Sequence, residues 1–234
     1  MYKNKKILAV TLARGGSKGV KLKNIKKIND KPLIWYTIKE AQKSEYIDNY
    51  IVSTDHLRIK KVAMSYGVDV PFLRPKNISN DKASSVDALK HAVKISEKFY
   101  GIKYDYIVEL MCTNPFKTYK DIDKSIKYLI NSKSDAVIAM NKVEDHHPRR
   151  LKKIVNGKIQ DFMPEITESR RQDLTPKAYI RNGAIYALER DFLLKKNKRY
   201  GGNNTRPIEL NHKNNINIDN ELDFKMAEFI LLKK

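Results

Sequence analysis

The 234-residue chain contains a single cysteine, Cys112. A disulfide framework within the chain is thereby excluded, as is a structural zinc site built from several thiolates, and a reducing compartment is implied. Long apolar runs are missing as well: nothing approaches the roughly 18 residues of a membrane-spanning helix. The apolar run after "MYKNKK" is too short, and too soon followed by charge, for a signal peptide. A cytoplasmic protein with no membrane partner is expected. Acidic residues are scarce, 27 Asp+Glu against 47 Lys+Arg, for a net charge of +20. Such a balance raises nucleic acid as a partner. Yet the basic residues are spread from end to end, with no tract of five or six and no repeated aromatic interleaving. An anionic small substrate is the better match to that charge, and no nucleic acid is expected. Internal repeats and low-complexity segments are also absent, so the chain is expected to form one domain, residues 1–234, with a sizeable core.

What is present begins with "LARGGSKGVKLKN", Leu12 to Asn24. The glycines let backbone N–H groups approach an anion closely. Arg14, Lys18, Lys21 and Lys23 can neutralise several charges, which suggests a polyphosphate. The loop follows the strand-like run Ile7–Ala13, so it lies at a strand's carboxyl end, where open α/β sheets bind ligands. It matches neither the Walker A pattern nor G-x-G-x-x-G.

Strand-like runs recur at Tyr50–Thr54, Asp69–Leu73, Tyr104–Met111 and Asp135–Met140. Helical patterns lie between them at Pro32–Ser44, Leu57–Tyr66, Ser85–Tyr100 and Thr118–Asn131, the last opening on a capping-box pattern. The alternation predicts an α/β fold with a mostly parallel sheet flanked by helices on both faces. After Met140 the rhythm breaks. A hairpin is expected around Asn156-Gly157, then a polar loop, a strand at Tyr179–Leu188 and a final helix at Asn220–Leu232. The embedded arm, about residues 140–178, is a dimerisation device or a lid.

The ordered blocks "LARGGSKGVKLKN", "KPLIWYTIKEA", "IVSTD", "FLRPKNISNDKASS", "TNPF", "DHHP", "RQDL", "NGAIYAL" and "INIDNELDF" span about Ile7 to Phe229. Together they resemble the acylneuraminate cytidylyltransferases, also called CMP-sialic acid synthetases. The resemblance implies a Rossmann-like nucleotidyltransferase fold. It also implies transfer of CMP from CTP to the anomeric hydroxyl of an acidic nine-carbon 2-keto-3-deoxy sugar, with release of pyrophosphate and with Mg²⁺ as cofactor. Sialic, legionaminic, pseudaminic and related acids are the acceptors it suggests. An eight-carbon ulosonic acid is the nearest enzymatic alternative; a basic nucleic-acid-binding protein and a non-catalytic scaffold are the rivals from other classes.

Carried over position by position, the resemblance assigns the nucleotide to Leu12, Ala13, Arg14, Gly15, Lys23 and Asn24, and to a cytosine pocket at Arg74, Ala83, Ser84 and Ser85. Arg14, Lys23 and Asp219 are the catalytic candidates, since such transfer rests on positioning and electrostatics. Ser84 or Ser85 also suits an N-cap. For the metal, Asp219 and Asn217 stand where the family typically has D-x-D. Alternate strand residues share a face, but an amide cannot act as a base. Met111 replaces the family's usual glutamine, and a thioether hardly hydrogen-bonds; Thr113 and Asn114 are then expected to supply polar contacts to the sugar. Arg170, Arg171 and Arg181 are carboxylate-clamp candidates, and Asn182 faces the sugar hydroxyls. His146 and His147 are read as structural rather than as a metal pair. A homodimer is expected, with arm arginines reaching the partner's sugar pocket.

Overall fold

In β1 (Ile7–Leu12) the side chains that alternate between the two faces of the strand are nearly all apolar, so the strand is suited to burial on both sides. The computed structural model describes residues 2–17, 19–143, 146–164, 170–210 and 216–233. Along the chain β1 is followed by the short pair β2 (Lys27–Ile28) and β3 (Lys31–Pro32), then α1 (Leu33–Gln42), β4 (Asn49–Ser53), α2 (Leu57–Ser65) and α3 (Ser85–Tyr100). Next come β5 (Tyr106–Leu110), α4 (Tyr119–Ser132) and β6 (Ala136–Lys142). The hairpin β7 (Lys152–Val155) and β8 (Lys158–Asp161) precedes β9 (Tyr179–Glu189), α5 (Arg190–Leu194), β10 (Thr205–Glu209) and α6 (Glu221–Leu232).

Six strands form one sheet in the order β10-β6-β9-β5-β1-β4. β4 and β5 run parallel to β1, and β10 runs parallel to β6. β9 is antiparallel to both its neighbours, β5 and β6. Ile7 and Ala9 pack toward α1 and α4, against Ala41, Ile122 and Ile126. Leu8 and Val10 pack toward α3 and α5, against Leu89, Val93 and Phe192. The mostly parallel sheet with helices on both faces is the architecture expected from the alternation.

Local chemistry sets the element ends. Thr118 and Asp121 close a reciprocal capping box on α4, Ser84 caps α3 through the Val86 N–H, and Asn220 with Asp223 caps α6. Asn156 (φ 52) and Gly157 (φ 74) make the β7–β8 turn with both central residues left-handed, as a two-residue hairpin needs.

Two segments differ from the sequence expectation. Asp69–Leu73 touches β4 and its end only through bridges at Ile51–Asp69 and Thr54–Leu73; Pro71 within it has no N–H for a ladder. β10 carries Pro207 and was not anticipated as a strand; it lies at the sheet edge, where a missing donor is tolerated.

Candidate active site

Parallel pairing aligns the carboxyl ends of β4, β1 and β5, at Ser53, Leu12 and Leu110. There a cleft of about 430 Å³ opens between the Leu12–Asn24 loop, the Arg74–Ala88 region, the β5 exit and Asp219. Of the sequence candidates, Leu12, Arg14, Lys23, Asn24 and Arg74 line it. So do Ala83, Ser84 and Ser85 at the start of α3, and Met111, Thr113 and Asp219 opposite.

The loop is braced from behind. Ala13 N–H donates to Ser53 O (2.9 Å), and Gly15 N–H to Asp55 Oδ1 (2.8 Å). Both residues therefore support the loop from outside the cleft lining. Asn24 is buried, donates from Nδ2 to Arg14 O (2.9 Å) and accepts from Cys112 Sγ (2.9 Å). Burial pushes the Cys112 thiol up to about 11, which keeps it protonated to donate.

Among the described residues three cations line the space. Arg14 Nη1 donates to Asp81 Oδ1 (2.8 Å) and to Asn80 O (3.2 Å). Arg74 is buried and holds Ser79 Oγ through Nε (3.0 Å). Burial lowers the Arg74 guanidinium from its ordinary value; Asp55 opposes that shift and Arg14 adds to it. Lys23 Nζ donates to Ile218 O (2.5 Å) and lies 3.4 Å from Asp219 Oδ1. Cations gathered beside the N–H groups at the start of α3 make a site for an extended anion.

Asp219 reaches the cleft because Ile218 N–H donates to Thr113 O (2.8 Å), pinning the segment before α6 to the β5 exit. Its side chain is 69 % exposed. Asn217 Nδ2 donates to Asp219 Oδ2 (2.8 Å), so the amide orients the carboxylate. Gly19 lies so close that a Cβ there would stand 2.1 Å from Asp219 O. Among the described residues no group of three or more His, Cys, Asp or Glu could hold a metal. A lone exposed carboxylate nevertheless suits Mg²⁺, which keeps several waters and takes its other ligands from substrate phosphates.

The remaining candidates fall elsewhere. Asn114 and Asn182 are buried, and Asn114 Nδ2 donates to Asn182 O (3.2 Å). Asn182 Nδ2 donates to Asn141 Oδ1 (3.2 Å), and its Oδ1 accepts from Ala184 N–H (2.9 Å). Both asparagines brace the wall from outside the cleft lining. Arg181 is exposed and stacks on Tyr200, 3.9 Å from the ring centroid. On the arm, Arg170 pairs with Asp173 (2.8 Å). The Arg171 side chain and the whole of Lys18 lie outside the described residues. Lys21 is exposed and off the cleft, as a solvated residue would be. His147 is held at Pro176 O (2.9 Å) and accepts from Arg149 N–H (3.3 Å), a structural arrangement.

Sequence reasoning passed over Glu109 and Lys117. Glu109 lines the cleft although only 1 % of it is exposed. Burial raises its carboxyl, and its Arg199 partner opposes that. The available signal was a lone acid inside the buried strand "YIVEL". Lys117 is also buried; its Nζ donates to Thr37 Oγ1 (2.8 Å), Met111 O (2.7 Å) and Asn114 O (2.6 Å), fixing the β5 exit.

Burial pushes the Lys117 ammonium down to about 7, with Cys112, Glu40 and Asp121 pulling back. Unfolded, the side chain titrates near 10.5. Between these values the unfolded chain binds the extra proton, so the Lys117 contribution to stability rises with pH from about 7 and is at its lowest below that. Relative to Lys117→Met, the wild type is expected to gain about 1.4 kcal/mol per pH unit within the window. Urea unfolding of both proteins at several pH values from neutral upward measures the difference, and a pH-independent difference would refute the lowered Lys117 pKa.

The cytidylyltransferase family model matches residues 8–226. The chain is 33 % identical over 228 residues to the CMP-N,N'-diacetyllegionaminic acid synthase of Campylobacter jejuni, covering 97 % of this chain and 96 % of that one. It is 36 % identical over 196 residues to a pseudaminic acid cytidylyltransferase of Campylobacter jejuni, covering 81 % and 84 %. Among solved structures it resembles CMP:2-keto-3-deoxy-manno-octonic acid synthetase complexed with CTP, with a TM-score of 0.73, 18 % identity and coverage of 97 % and 99 %. At that identity the likeness establishes the fold.

Proposed function

The chain belongs to the cytidylyltransferase family, among the nucleotidyltransferases that activate nonulosonic acids, and on that premise we propose that it transfers CMP from CTP to a nine-carbon 2-keto-3-deoxy acid sugar. The observation that carries this reading is the gathering of Arg14, Lys23 and Arg74 around one cleft with the exposed Asp219 carboxylate opposite the start of α3.

In the reaction the anomeric hydroxyl oxygen bonds to the α-phosphorus, the bond from that phosphorus to the α,β-bridging oxygen breaks, and pyrophosphate leaves. The hydroxyl proton passes to solvent. Arg14, paired with Asp81, and Lys23, beside Asp219, would turn to the triphosphate and stabilise charge on its nonbridging and leaving oxygens. Arg74 and the small Ala83–Ser85 segment suit the flat cytosine ring. The Thr113 hydroxyl is buried without a hydrogen-bond partner among the described residues, and it lines the cleft where an acceptor would enter. Mg²⁺, when bound, neutralises phosphate charge; Asp219 would hold it, with Asn217 orienting that carboxylate.

Homodimerisation is part of the same reading. The hairpin leaves Ile154 (77 %), Ile159 (75 %) and Phe162 (66 %) exposed, and an isolated two-stranded hairpin is marginal in water. A second copy packed there would cover those side chains. Its arm would carry Arg170 and Arg171 toward a neighbouring sugar pocket. No helix among the described residues is long and apolar enough to cross a membrane, and the free Cys112 thiol suits a reducing cytoplasm.

The test is pyrophosphate release from each NTP against a panel of eight- and nine-carbon ulosonic acids, with and without Mg²⁺. Turnover is expected with CTP, a nine-carbon acid and metal together. The same preparation is expected to sediment at about twice 27.2 kDa. Absence of turnover with every ulosonic acid would overturn the reading.

A further inference from the structure

Residues 107, 109 and 111 of the β5 segment share one face, the side on which Ile107 and Met111 pack toward α3 and α5. Glu109 stands among them as a buried carboxylate, directly across the ladder from Tyr186 of β9. Its Oε2 accepts a hydrogen bond from Arg199 Nε, 90 residues along the chain. The Arg199 guanidinium carbon lies over the Tyr186 ring, 3.8 Å from its centroid, and its Nη2 is 3.3 Å from Met111 Sδ. The segment carrying Arg199 is itself anchored. Lys198 N–H donates to Phe192 O (3.2 Å), and Arg190 clasps Glu97 through two bonds of 2.7 and 2.9 Å.

The pair leaves groups of both kinds available. Among the described residues no hydrogen bond falls on Glu109 Oε1 or on Arg199 Nη1, and the Met111 sulfur is only a weak acceptor. Because the two charges neutralise each other, a carboxylate approaching Arg199 would also meet Glu109. A hydroxyl is small and can engage one partner well. A trans secondary amide carries its carbonyl acceptor and its N–H donor on opposite edges, so lodged between the pair it can meet a guanidinium N–H with one edge and a carboxylate oxygen with the other. The apolar flank of the Met111 side chain, which lines the cleft, offers an acyl group a dry surface.

We propose that Glu109 and Arg199 form a specificity-determining pair that reads an acylamino substituent of the acceptor sugar at the Met111 wall of the cleft. This rests on the acceptor class given under Proposed function. The pair discriminates through buried polar groups that only an amide satisfies together, a kind of recognition stronger than apolar fit alone.

The experiment uses pairs of nine-carbon ulosonic acids that differ only in acetamido against hydroxyl at one carbon, with CTP saturating. For at least one such position the wild type is expected to favour the acetamido acid by about 10²-fold in kcat/KM. Glu109→Gln and Arg199→Met are each expected to bring that ratio to about tenfold or less, through a raised KM for the acetamido acid. The double variant Glu109→Leu/Arg199→Met removes both charges together, so no unpaired buried ion threatens folding; it is expected to show the same loss. A wild-type ratio near one at every position, or ratios unmoved in folded variants that still bind CTP, overturns the pair. Failure of the wild type on all ulosonic acids instead overturns the acceptor class on which it rests.

Discussion

Asp219→Asn is expected to lower kcat for CMP transfer by about 10²–10³-fold with little change in thermal stability. The carboxylate is exposed at the cleft, so no packing is lost on substitution. What disappears is the negative charge that lies 3.4 Å from Lys23 Nζ and receives the Asn217 amide at 2.8 Å. An asparagine there presents one neutral acceptor in place of an anion able to hold a divalent cation beside the triphosphate. Pyrophosphate release at saturating CTP and acceptor measures the loss, and near-wild-type kcat would remove Asp219 from the machinery. Asn217→Asp provides the complementary measurement. It sets a second carboxylate against the first, so activity is expected to hold or rise at high Mg²⁺ and to fall faster than wild type as Mg²⁺ is withdrawn. Severe inactivation at every Mg²⁺ concentration would mean that the amide at 217 has a duty of its own.

Gly19→Ala is expected to cut kcat/KM by about 10²-fold, because a misplacement of about 1 Å at a reacting centre costs that much. The cause is space rather than backbone conformation. An added Cβ would stand 2.1 Å from Asp219 O and 3.2 Å from its carbonyl carbon, both backbone atoms, so either the Leu12–Asn24 loop or the segment before α6 must retreat. Overpacking of this kind costs about 1–3 kcal/mol, and a drop of several degrees in Tm is expected alongside the kinetic loss. Gly16→Ala is the control, since a Cβ there meets nothing within 4 Å. Equal behaviour of the two variants would show that the Gly19–Asp219 approach is not what aligns the site.

Much of this site was legible from the order of residues. Arg14, Lys23, Arg74 and Asp219 come from separate blocks and line one cleft, because the parallel sheet aligns the ends of β1, β4 and β5 and the Ile218 N–H bond to Thr113 O draws Asp219 to them. Asn114 and Asn182 carried the same kind of block signature, yet the Asn114 amide faces the Asn182 backbone and the Asn182 amide faces Asn141 and Ala184. A motif specifies a residue's place along the chain. It does not specify which way an amide turns once neighbours compete for it.

By itself the sequence determined the local elements of this protein. The alternation of strands and helices, the turn at Asn156-Gly157, the Thr118 capping box and the glycine that ends α3 each depend on residues within a few positions of one another. Tertiary structure alone decided the rest. It inserted β9 antiparallel between β5 and β6, and it admitted the Pro207 strand at an edge. It brought Arg199 to Glu109 from 90 residues away and closed the β5 exit around the Lys117 ammonium. Those choices depend on non-local pairing and on which side chains become desolvated together, and no periodicity or spacing along the chain records either.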